Sequence, residues 1–153
     1  MIKTGRAIVG GIVGTALLTS MMYFVAPMMT GRAMDIAGML GSMLGGSWVL
    51  GMVVHIVNGT LVFPLIYAFI VSQKLPGSPW LRGTVWGGTL WLLAQMVALP
   101  LMGAGFFGAH AGGMQSVISS LFGHLVYGLT FGAIAGTQEA WPADHLSGTG
   151  VRA

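Results

Sequence analysis

His55 and His124 sit where a titratable side chain is least expected, each inside a long uncharged apolar segment. Each opens a similar phrase, His55-Ile56-Val57-Asn58-Gly59 and His124-Leu125-Val126-Tyr127-Gly128. A polar group in hydrocarbon is costly, so such residues face a bundle interior and serve a function there. Counted from one end of their segments, His55 lies about nine residues in and His124 about eleven. At a rise of about 1.5 Å per residue both reach roughly 12–16 Å deep. Two imidazoles at one depth on two helices are what axial ligation of a flat metallocofactor requires. Gly59 and Gly128 follow four residues later, one turn along the same face, and would leave room for a ring. The expected occupant is haem b, with His55 and His124 on the iron and Gly59, Gly128, Asn58 and Tyr127 around it. Two alternatives stand beside it: hydrogen bonding of each histidine to a carbonyl or a neighbouring Ser, Asn or Tyr, and a proton or substrate path.

Asn58, Gln95, Tyr23, Tyr67 and Tyr127 complete the polar set within the apolar segments. Asn58 and Gln95 are expected to link helices; with a histidine or tyrosine they also suit a quinone head group. Met28, Met29, Met39, Met43 and Met102 cluster at one end, with His110 near in sequence, and thioethers suit Cu(I). Met also fills gaps in apolar packing, so copper ranks below haem. No phosphate loop, nucleophile–base constellation or carboxylate pair occurs in the sequence. The chain is therefore expected to have no catalytic activity of its own.

The elements that must hold these residues follow from composition. The 153 residues are 55% hydrophobic and 6% charged, with mean hydropathy +0.85, which excludes an ordinary soluble domain. A bilayer span needs about 20 apolar residues. The uncharged runs predict four: Ala7–Met29, Ser47–Val71, Thr84–Phe107 and Met114–Gly136. The net charge is only +3 and follows topology rather than a nucleic-acid surface. Lys3, Arg6, Lys74 and Arg82 flank one side, and Arg32 alone falls on the other. By the positive-inside rule both termini and the Lys74 loop are cytoplasmic. The first apolar run is long enough to span, so it reads as a retained helix rather than a cleaved leader. The absence of cysteine removes disulfides and thiolate metal sites.

The chain also looks duplicated. Gly14-Thr15-Ala16-Leu17-Leu18 leads to Pro27-Met28-Met29, and Gly88-Thr89-Leu90-Trp91-Leu92 leads to Pro100-Leu101-Met102. The fold expected is all-α: a four-helix transmembrane bundle of two tandem two-helix hairpins over 1–136, with a cytoplasmic tail over 137–153. The glycines are read as helix-packing ridges before any ligand role. The polar tail, with Glu139, Asp144 and His145, is expected to contact a partner subunit or a second copy.

The run from His55 to Tyr67, with Leu75-Pro76-Gly77-Ser78-Pro79-Trp80-Leu81-Arg82-Gly83, resembles an uncharacterised family of small bacterial four-helix integral membrane proteins, over roughly residues 5 to 136. The resemblance implies the fold and a bacterial inner membrane, and lends no activity. A haem-binding electron-transfer protein or subunit is the function expected. A non-catalytic accessory subunit of a larger membrane complex is the main rival, and a metal or small-solute transport component ranks third.

Overall fold

The computed structural model describes residues 3–136, so the tail over 137–153 lies outside the described residues. Among the described residues the chain is all-helical. Four helices are long and apolar enough to cross a membrane: α1 (Thr4–Thr30), α3 (Trp48–Val71), α4 (Pro79–Leu101) and α5 (Gly113–Ala135). A short helix, α2 (Ile36–Ser42), lies between the first two. Phe24, Val49 and Phe69 are each at least 65% exposed on the flanks, which suits a lipid solvent and not water.

The third span starts five residues earlier than the charge pattern suggested. Pro79 presets the φ of a first helical turn and lacks an N–H that would otherwise be an orphan there. Arg82 therefore sits inside α4, where the uncharged-run criterion had excluded it. The same helix stops at Leu101, because Gly103 takes a left-handed φ of 77°.

The hairpins and their junction are built on glycine. A Cβ on Gly83 or Gly87 would strike the backbone of Gly128, Gly132 and His124, so α4 and α5 touch main chain to main chain. Gly10 and Gly14 of α1 admit Phe131 and Tyr127 of α5, and Gly11 of α1 admits Pro64 of α3. Helices α3 and α4 share no extended contact. They meet near the Lys74 end, where Tyr67 lies 5.9 Å from Trp86 and packs edge-on at 4.9 Å against Phe131. The aromatic core thus fills one end of the bundle and leaves the Arg32 end open inside.

Three widened turns, Met21–Val25, Asn58–Val62 and Ala94–Ala98, each end two residues before a proline, at Pro27, Pro64 and Pro100. A proline inside a helix removes one donor and crowds the carbonyl four residues back. The residue before each proline bonds five residues back instead of four: Ala26 to Met21, Phe63 to Asn58 and Leu99 to Ala94. The helices therefore run on past the prolines, at the cost of a carbonyl without an in-helix donor. Two such carbonyls are met from elsewhere. Met34 N–H donates to Met22 O at 3.0 Å, and Tyr127 O–H donates to Gly59 O at 2.9 Å.

Candidate functional site

Because α3 and α4 part above Tyr67, a cavity of about 450 Å³ opens between all four long helices. That volume falls in the range of small-molecule sites, about 300–1,000 Å³. Most of its wall is apolar, including Leu18, Met22, Phe63, Leu90 and Ala94, and the polar groups are few and placed. His55, Asn58 and Gly59 come from α3, Gln95 from α4, Ser120, His124 and Tyr127 from α5, and Thr15 from α1. The widened turns carry Met22, Asn58, Gly59, Gln95 and Ala98 to this wall, so the prolines shape the site as well as the helices.

The two histidines are thus brought to one cavity. Counted from the observed helix starts, His55 is seven residues in and His124 eleven, or about 10 and 16 Å along their own helices. Each ring has one nitrogen held by the protein. His55 Nε2 lies 2.9 Å from Thr19 Oγ1, and His124 Nδ1 donates to Ser120 O at 2.8 Å. A carbonyl only accepts, so Nδ1 of neutral His124 carries the hydrogen and Nε2 is left as an acceptor. Gln95 is 2% exposed, and its amide nitrogen donates to Ser120 Oγ at 3.3 Å. Gln95 Oε1 and Thr15 Oγ1 are buried without a hydrogen-bond partner among the described residues.

Tyr127 and Gly59 belong to the site as its floor, since the tyrosine hydroxyl spans from α5 to the Gly59 carbonyl. Gly128 does not join them. The space it leaves is filled by the Gly83 and Gly87 backbone of α4, so it packs a helix rather than making room for a ring. The methionines also separate: Met28 is 86% and Met43 54% exposed, while Met39 and Met102 line the cavity with His110. Thr19, Thr15 and Ser120 went unmarked in the sequence. Ser120 had a signal, its spacing of four residues before His124 on one helix face. The two threonines had none, because hydroxyls in apolar helices commonly bond their own backbone.

Arg32, Asp35 and His110 surround the mouth. Asp35 ties the mouth together, accepting on Oδ1 from Tyr23 O–H (2.8 Å), Trp48 Nε1–H (2.9 Å) and Gly38 N–H (3.0 Å). Burial pushes its carboxyl up, and the Gly38, Tyr23 and Trp48 hydrogen bonds together outweigh that and hold it below the ordinary 3.8. A carboxylate with a depressed folded pKa stabilises the fold above its unfolded pKa and loses that contribution as pH falls through the folded value. Detergent-solubilised protein should therefore lose thermal stability below about pH 3.8, and Asp35→Asn should flatten that acid limb. The cluster faces water, so the difference should be no more than about 1 kcal/mol. A parallel acid limb in the variant would assign the loss to other groups.

No curated protein and no solved structure matches the chain. A family model does match, over residues 1–145, and the chain belongs to that family of unknown function, DUF6789.

Proposed function

We propose that this is an integral membrane protein that holds a lipophilic redox cofactor of the quinone class in its central cavity, within an electron-transfer assembly. The observation that carries the reading is the buried polar floor of an otherwise apolar cavity: Gln95 Oε1 and Thr15 Oγ1 without partners, beside the free Nε2 of His124. Buried polar atoms are nearly always satisfied, and a head group whose two oxygens carry hydrogens in its reduced state, delivered from the bilayer, satisfies these. Four helices span the bacterial inner membrane in this reading. Lys3, Arg6, Lys74 and Arg82 lie on the cytoplasmic side, and the cavity mouth at Arg32 and His110 on the outer side.

Haem b is the second reading, favoured by the His124 geometry. An imidazole with Nδ1–H anchored on a carbonyl and Nε2 free is the usual oriented metal ligand. His55 spends Nε2 on Thr19 and would ligate only after its ring turns or through Nδ1. When bound, haem would supply one-electron transfer.

One preparation tests both. The protein purified from membranes and placed in lipid nanodiscs is titrated with a decyl-substituted benzoquinone and its quinol, and separately with hemin. Saturable uptake of the quinone couple, weakened about tenfold or more in His124→Leu, supports the first reading. A Soret band lost in both His55→Ala and His124→Ala would replace it with the second.

A further inference from the structure

We infer that the cavity selects the hydroxyl-bearing, reduced form of its occupant over the carbonyl form. This rests on the quinone-class reading and adds the oxidation state it prefers. The argument is one of donors and acceptors. Ser120 meets both polar partners at once: its carbonyl takes the Nδ1 hydrogen of His124 and so fixes that tautomer, and its hydroxyl takes an amide hydrogen of Gln95. What is left on each is an acceptor, a lone pair on His124 Nε2 and one on the buried Gln95 Oε1, and both residues line the cavity. Gln95 is 2% exposed and its oxygen has no partner, so it is a built group and not a surface accident.

An occupant ring with two carbonyl oxygens can accept from the Thr15 hydroxyl, but it meets His124 Nε2 acceptor to acceptor and leaves the Gln95 oxygen as orphaned as before. The same ring carrying two hydroxyls donates one hydrogen to Nε2 and one to Oε1. Thr15 Oγ1, 4% exposed and also unpartnered, can donate back to a hydroxyl oxygen. A site built to bond a hydroxyl rejects the analogue lacking that hydrogen, because its own polar groups are then left unpaired. The two forms differ by two electrons and two protons, so a tenfold preference for the reduced form raises the bound couple's potential by about 30 mV.

The test uses full-length protein in nanodiscs, titrated calorimetrically with a decyl-substituted benzoquinol under anaerobic conditions and with the corresponding benzoquinone in air. The quinol should bind at least about tenfold tighter. Gln95→Met, which keeps the volume and removes the acceptor, should weaken the quinol about tenfold and leave the quinone within twofold. The wild-type ratio decides the matter by itself if that variant does not fold. Equal binding of the two forms, or tighter quinone, overturns the inference while the quinone-class reading survives. Failure of both forms to bind overturns the reading itself.

Discussion

Gly128→Leu should separate α4 from α5 and remove most of the protein's stability in detergent. A Cβ at Gly128 would fall on the Gly83 carbonyl oxygen and 2.9 Å from the Gly87 Cα. Those atoms are backbone, so no rotamer change relieves the clash, and three further carbons of leucine must follow. Overpacking costs typically about 1–3 kcal/mol where side chains can yield; here the loss should meet or exceed the top of that range. Gly88→Leu supplies the control, since among the described residues nothing beyond its own turn of helix lies within 4 Å of a Cβ there. Thermal unfolding read by tryptophan fluorescence and size exclusion should place Gly88→Leu near wild type and Gly128→Leu far below. Equal stability of the two would mean that Gly128 does not hold the α4–α5 contact and faces open space, as a ring-binding site would need.

That contrast marks how far the sequence could be read. Uncharged runs locate the four long helices because charge is expensive in hydrocarbon, and the same cost flagged His55 and His124 for a shared interior. Both of those readings concern which residues avoid water. Which neighbour a residue meets is a different question, and Gly128 shows why. Gly59 and Gly128 are equivalent in spacing from their histidines, yet Gly59, packed against the Thr15 side chain of α1, still lines the cavity, and Gly128 lies wholly against α4. The difference arises from helix rotation, which is fixed by the Gly83–Gly132 and Gly87–Gly128 approaches and not by hydropathy. Pro79 likewise extended α4 across Arg82, a position that charge alone placed outside. Gln95 was visible as a polar residue in an apolar helix, but its unpartnered oxygen depends on Ser120 of another helix. The widened turns before Pro27, Pro64 and Pro100 leave no mark in hydropathy, because the helices continue through them.

Those turns lead to the second large effect. Pro64 has no N–H, and Phe63 N–H bonds Asn58 O, so the Gly59 carbonyl has no donor within its own helix. Tyr127 O–H, on a side chain 2% exposed, supplies that donor at 2.9 Å. Tyr127→Phe keeps the ring and its stacking on Phe131 at 5.9 Å, and removes only the hydrogen bond. The carbonyl is then stranded in a low-dielectric interior, which should cost about 1–3 kcal/mol. Pro64→Ala changes the problem at its source. With an N–H restored at position 64, α3 can return to regular bonding and Phe63 N–H can reach Gly59 O. Tyr127→Phe should then cost markedly less in the Pro64→Ala background, with a coupling energy of about 1 kcal/mol from the double-mutant cycle. The loss of Pro64 packing against Gly11 appears in both arms and cancels. An unchanged cost of Tyr127→Phe in the two backgrounds would show that the tyrosine joins α5 to α3 by some contact other than the carbonyl the proline sets free.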